Sequence, residues 1–134
     1  MFGRIIPVLR IFDEQKAKEF YLGFLGFTLD FEHRFGPNFP LYLGVTRGDC
    51  SLHLSEHHGD ATPGTRLRIF TDNIAAVAEE LQRADYRYAK PGNPEQAPWG
   101  EKTLTVTDPF SNRLTFVEVE TEAKASATTA TSQL

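Results

Sequence analysis

The sequence predicts an α+β fold built from two tandem β-α-β-β-β modules, and three observations carry that expectation. The tetrapeptide Leu-Arg-Ile-Phe occurs twice, at residues 9–12 and 67–70. Each copy is followed by an acidic residue and an amphipathic stripe: Asp13 with Ala17, Phe20, Tyr21, Phe24 and Leu25, then Asp72-Asn73 with Ile74, Val77, Ala78 and Leu81. Apolar residues at i, i+3, i+4 and i+7 mark one face of a helix. Both stripes end in a breaker and an aromatic, Gly26-Phe27 and Asp85-Tyr86, so strand, cap, helix and exit recur together. A repeat that preserves all four is the signature of a duplicated module.

The elements follow in order. Residues 4–12 are rich in branched apolar side chains and end at Asp13, an N-cap for a helix reaching about Leu25. Gly26 closes that helix. Residues 28–35 alternate apolar and polar from Leu29 to His33, a half-buried strand whose odd positions share one face. Gly36-Pro37-Asn38 is a turn, residues 39–45 a second strand, Arg47-Gly48-Asp49 a hairpin turn, and residues 50–55 a third strand with Leu52 and Leu54 opposite Ser51, His53 and Ser55. The stretch 56–64, with His57-His58-Gly59-Asp60 and Pro63-Gly64, joins the modules. The second module repeats the order: strand 65–70, helix 74–82, a short strand around Tyr86-Arg87-Tyr88, a loop 90–98 with three prolines, strand 100–107, turn 108–112 and strand 113–118. The expected boundaries are one domain over residues 1–120, with modules at about 4–56 and 64–119. Residues 121–134, almost free of large apolar side chains, form a tail without the burial to offset its ordering entropy.

Composition narrows the function. The chain has 134 residues, so two modules of about sixty residues must share one core. A net charge of −4 offers no footprint for nucleic acid. No apolar run approaches the roughly 18 residues of a membrane span, and the first residues lack a secretory signal. The single cysteine, Cys50, forms no internal disulfide, which makes the cytoplasm the expected compartment.

Chemistry is sparse. His53, His57 and His58 cluster in sequence, but along a strand His53 and His57 lie about 13 Å apart, too far for one ion. Strand parity puts His53 opposite Leu52 and Leu54, leaving a ligand-facing or a solvent-facing side chain open. Cys50 has an acidic neighbour that disfavours the thiolate, and Ser51 and Ser55 lack a strained nucleophile elbow. Glu101 reads either as a general base or as a polar strand residue. Aromatics are the stronger signal: Phe31, Phe35, Phe39, Tyr42, Trp99 and Phe116 lie off the helix stripes. Trp99, in a Pro-Trp-Gly turn, is placed to wall a binding site for a flat or cationic ligand.

Residues 5–118 resemble the vicinal-oxygen-chelate superfamily of glyoxalase I, extradiol dioxygenases, fosfomycin-resistance enzymes and bleomycin-resistance proteins. The likeness rests on Pro7-Val8-Leu9 leading to Asp13, on Tyr21-x-x-Phe24-Leu25-Gly26-Phe27, on Pro98-Trp99-Gly100 and on Asp108-Pro109-x-x-Asn112, and is nearest to the small bleomycin-binding proteins. The resemblance implies a cup-shaped curled sheet over a ligand, often completed in a homodimer, and in the family's enzymes a divalent metal held by His, Gln or Glu from four strands. Placed by that resemblance, the ligand positions here are Ile6, His53, Gly64 or Arg66, and Thr115. One imidazole does not hold a catalytic metal, so the resemblance implies a protein without metal or other cofactor.

The expectation is therefore a metal-free protein that sequesters bleomycin-type glycopeptides, with Phe31, His33, Phe39, His53, Arg66, Arg68, Trp99 and Thr115 around the ligand and no catalytic residue. The alternative is an enzyme of the same superfamily, lyase or dioxygenase-like, acting on another small molecule. Arg66 and Arg68 add positive charge where a cationic drug calls for acid.

Overall fold

The computed structural model describes residues 1–120; the expected tail at 121–134 lies outside the described residues. The α+β order is as predicted: β1 (Val8–Arg10), α1 (Glu14–Lys18) continued by a π-helical segment Glu19–Phe24, β2 (Thr28–His33), β3 (Tyr42–Arg47), β4 (Cys50–Ser55), β5 (Arg66–Phe70), α2 (Ile74–Arg83), β6 (Glu95–Ala97), β7 (Glu101–Thr107) and β8 (Arg113–Val119). The strands form two four-stranded sheets, ordered β1-β4-β3-β2 and β5-β8-β7-β6, which repeat one topology. The chain divides into two compact units, Met1–Arg66 with Thr107–Arg113, and Leu67–Val106 with the chain from Leu114.

In the first unit β1 pairs parallel with β4, while β3 pairs antiparallel with both β4 and β2. Leu9, Leu54 and Leu43 form one buried row across the sheet, and Leu52 with Val45 the next. Asp13 Oδ1 accepts from Lys16 N–H at 2.8 Å, the predicted cap, and Ala17, Phe20, Tyr21, Phe24 and Leu25 are all buried. The second half of that helix widens to π geometry, so Leu25 N–H reaches back five residues to Phe20 O. Gly26 at φ 71° then turns the chain out. Arg47 Nη1 to Leu25 O at 2.8 Å and Lys18 to Glu32 at 2.8 Å fasten the helical segment to β3 and β2.

The Asp-Pro-x-x-Asn turn is structural. Buried Asp108 accepts from Phe110 N–H, Asn112 N–H and Asn112 Nδ2, each at 2.8 Å, and from the Tyr21 hydroxyl at 2.6 Å. Asn112 also donates to Arg10 O and accepts from Thr65 N–H. Burial, then the Asp108 charge and hydrogen bond, push the Tyr21 phenol well above its ordinary pKa.

In the second unit Asn73, and not Asp72, caps α2, accepting from Ala76 N–H at 3.1 Å, and Glu118 Oε1 accepts from Ile74 N–H at 2.8 Å. Ile74, Ala78, Leu81, Leu104, Val106 and Leu114 are buried. Asp85, at φ 47°, makes the left-handed exit that Gly26 makes in the first unit.

Three expectations need correction. Residues 86–88 form a turn, not a strand; Tyr86 and Tyr88 meet edge to face at 5.8 Å, and the third strand of this unit is Glu95–Ala97, paired with β7. The odd positions of β2 do not share one face, because a bulge at Asp30 leaves Leu29 opposite Val45 but Phe31 opposite Gly44. All of β2 is exposed rather than half-buried.

Candidate functional site

The face of the first sheet opposite the leucines carries the residues of interest. One row across the strands reads Val8, His53, Gly44 and Phe31; the next reads Arg10, Ser55, Tyr42 and His33. Phe31 stacks on Tyr42 with centroids 6.2 Å apart and planes 18° apart, and His53 meets Phe31 edge-on at 5.2 Å. Gly44 makes this possible. A Cβ there would sit 2.3 Å from Phe31 Cε1, so only glycine lets the ring lie on the backbone of β3.

The Tyr42 hydroxyl lies 2.7 Å from His53 Nδ1. Burial, with the charge of Asp60 added, raises the Tyr42 phenol above its ordinary pKa, so it keeps its proton. The phenol and the His53 ring nitrogen are thus tied together, which fixes the orientation of the imidazole beside Phe31. Asp60 is itself held by the Ser55 hydroxyl at 2.7 Å, and Ser55 Oγ accepts from His57 N–H. Phe31 remains 42% exposed, so the cluster is a platform with an open aromatic face, not a sealed core.

The remaining candidates of this unit make their side-chain contacts elsewhere, although His33 lies opposite Tyr42 in the strand register. His33 packs edge-on against Phe35 at 4.7 Å, and Phe35 meets His57 at 6.3 Å. Phe39 is exposed, and its carbonyl accepts from Arg34 Nη1. Arg66 is exposed on its strand.

In the second unit Arg68, Trp99 and Glu101 form one polar group. Arg68 Nη2 donates to both Glu101 oxygens at 2.6 Å, and the Trp99 indole donates to Glu101 Oε1 at 2.5 Å. The indole hydrogen bond, and after desolvation that of Arg68, holds the Glu101 carboxyl below its ordinary pKa. A carboxylate so held is a weak proton acceptor. Arg68 is thereby neutralised, and the Trp99 ring, 68% exposed, is oriented by its nitrogen. Thr115 Oγ1 is hydrogen-bonded to Thr105 Oγ1 at 2.8 Å.

Sequence reasoning missed Tyr42 as the partner of His53, Gly44 as the seat of Phe31, and Glu101 as the anchor of Trp99. A glycine inside a strand was the available signal for the second.

The residues do not fit a metal. Among the described residues no three His, Cys, Asp or Glu side chains come together as a metal site requires. At the positions expected from the metal enzymes stand Ile6, Gly64 or Arg66, and a Thr115 already bonded to Thr105, beside a His53 whose Nδ1 meets Tyr42. Burial pushes the Cys50 thiol above its ordinary pKa, which suppresses a nucleophilic role. Among the described residues no helix is long and apolar enough to cross a membrane.

This architecture has close structural counterparts. A bleomycin-binding protein solved with bleomycin superposes with a TM-score of 0.69 at 21% identity, covering 89% of this chain and 100% of its own. The antibiotic-binding protein TnmS3 of Streptomyces sp. CB03234 gives 0.66 at 25% identity, over 90% of this chain and 99% of its own. The bleomycin resistance determinant encoded on transposon Tn5 gives 0.68 at 20% identity, over 89% and 99%. Among curated protein sequences none matches. The family described as glyoxalase superfamily protein matches residues 1–123. Two β-α-β-β-β units with the glyoxalase/bleomycin-resistance topology and a family match over nearly the whole described chain place this protein in the glyoxalase superfamily.

Proposed function

We propose that the chain is a metal-free binding protein that captures a flat aromatic small molecule of the antibiotic type and holds it without turnover, with bleomycin-type glycopeptides as the first ligands to test. The observation that carries this reading is the Phe31–Tyr42–His53 platform, seated on Gly44 and left open on one face. An open aromatic face suits stacking of a heteroaromatic ring system. Trp99, locked by Glu101, offers a second aromatic surface. Support also comes from the similarity to proteins described as bleomycin-binding and antibiotic-binding. In this reading Phe31 and His53 of the first unit contact a ligand with His33, Phe39 and Arg66 beside them, and Trp99 of the second unit contacts one with Arg68 and Thr115 beside it. The protein works in the cytoplasm as a homodimer, with residues 1–120 as one domain. The enzyme alternative is disfavoured by the engagement of Glu101 and by the donor set.

Calorimetric titration of the purified protein with bleomycin, followed in parallel by Trp99 fluorescence, tests the reading. Saturable stoichiometric binding is expected. No heat and no fluorescence change at ligand concentrations on the order of 100 µM would remove bleomycin as the ligand.

A further inference from the structure

The loop that joins β2 to β3, residues 34–41, is gathered around the side chain of Arg34. Arg34 Nη1 donates to Phe39 O at 2.7 Å and lies 3.6 Å from Glu56 Oε1, while Arg34 Nη2 donates to Glu14 Oε1. Glu56 Oε1 also accepts from Leu41 N–H at 2.8 Å, so one guanidinium ties the first turn of α1, both ends of the loop and the chain leaving β4. What the loop displays is apolar: Phe35 is 76% and Phe39 53% exposed. Each ring nevertheless has a seat. Phe35 meets His33 edge-on at 4.7 Å and His57 at 6.3 Å, and the Phe39 ring lies against Gly36, where a Cβ would stand 3.5 Å from it. Because His33 stands opposite Tyr42 in the strand register, Phe35 extends the aromatic face of Phe31 and Tyr42 beyond the end of β2. Rings kept in water add little burial to the fold, and ion pairs this exposed contribute little to its stability. The arrangement acts instead on what the rings meet.

We propose that Arg34 is a positioning residue for ligand capture, holding the 34–41 loop so that Phe35 and Phe39 stand preformed as the rim of the aromatic platform. Rings already in place at the encounter do not have to be ordered by the ligand, and for two such side chains the gain in affinity is on the order of tenfold. The role requires an arginine. Its planar fork reaches a backbone carbonyl with one nitrogen and a carboxylate with the other, which the lone nitrogen of a lysine does not do at once. The charge of Arg34 works in the opposite sense: by direct electrostatics, removing a cation would tighten the binding of a cationic ligand. Positioning and charge therefore predict opposite changes for the same substitution. This inference rests on the capture reading above and assigns what holds its site in shape.

The test titrates bleomycin calorimetrically into the full chain as wild type, Arg34→Gln and Arg34→Lys, and repeats the three titrations in Phe35→Ala and in Phe39→Ala backgrounds. Both Arg34 variants should bind about tenfold more weakly than wild type, with Tm changed by less than about 4 °C. That loss should shrink in each background, since a residue acting through the rings has less to act on when one is gone. Hydrogen exchange without ligand reads the loop itself: the Phe39 amide, bonded to Gly36 O at 3.1 Å, should exchange faster in both variants. Unchanged or tighter binding by the Arg34 variants overturns the assignment while the capture reading stands. So does a loss as large in both backgrounds as with the rings intact, or a Phe39 amide protected as in wild type. Should Arg34→Gln fail to fold, Arg34→Lys gives the same decision. No binding by wild type overturns the capture reading and the assignment together.

Discussion

Replacing Gly44 with alanine tests the aromatic platform at its base. The new Cβ would lie 2.3, 2.9 and 3.0 Å from three carbons of the Phe31 ring, closer than carbon atoms approach, so the ring must leave its seat. Phe31 sits at an exposed strand, so the ring has solvent to swing into and the fold survives. What is lost is its packing on Tyr42 and His53, two ring contacts each contributing about 0.5–1.5 kcal/mol. Alanine in a strand interior regains roughly 0.5–1 kcal/mol over glycine through backbone entropy. The net is a destabilisation of about 0.5–2 kcal/mol, or about 2–8 °C in Tm for a domain of this size. Ligand affinity should fall together with it. Because one ring mediates the effect, Phe31→Ala should make Gly44→Ala harmless, giving a coupling of about 1 kcal/mol in a double-mutant cycle. Thermal melts of the four proteins provide the measurement. A Gly44→Ala protein as stable as wild type, or costs of the two substitutions that simply add, would refute the reasoning.

Further outcomes follow from the other groups. Asp108→Ala strands the Tyr21 hydroxyl, the Asn112 amide and two backbone N–H groups, and should cost about 3–5 kcal/mol in urea denaturation; a loss under about 1 kcal/mol would contradict the turn's structural role. Glu101 is held below its ordinary value of 4.5, so its contribution is fully present above the unfolded pKa and is lost as pH falls through the lower folded one. Compared with Glu101→Gln, wild type should show a small stability advantage at neutral pH, under about 1 kcal/mol at this partly exposed site, that disappears on acidification below pH 4.5. An advantage that grows in acid would reverse the assignment. Cys50, its thiol raised by burial, should react with iodoacetamide at pH 7.5 more slowly than a free thiol does, and labelling at the free-thiol rate would contradict that burial.

The fold was legible where local chemistry and tertiary packing agree. The strand Cys50–Ser55 matches its expected bounds because Leu52 and Leu54 alternate without interruption and the Gly48-Asp49 turn fixes its start. The Asp13 cap and the Gly26 exit are local devices and stand where expected. Tyr86–Tyr88 failed because tyrosines favour strands only when a partner strand is present, and here the two rings satisfy each other in a turn. The strand that does form, Glu-Gln-Ala, has little propensity of its own and exists by pairing with β7. The bulge at Asp30 was invisible because pairing register, not sequence alternation, decides which face Phe31 takes. The same limit governs the candidate site: His53 and Phe31 were readable singly, but their meeting with Tyr42 over Gly44 depends on three strands in register. Arg68 read as a free cation because Glu101 lies 33 residues away in sequence.

The claim that this chain holds its ligand rather than converting it is tested most directly by equilibrium dialysis against bleomycin followed by mass spectrometry of the recovered ligand. The account predicts one ligand per site, unchanged in mass after prolonged incubation and insensitive to a divalent-metal chelator added to protein and ligand alike. A recovered product of altered mass, or capture that vanishes when divalent ions are stripped from the protein alone, would contradict it.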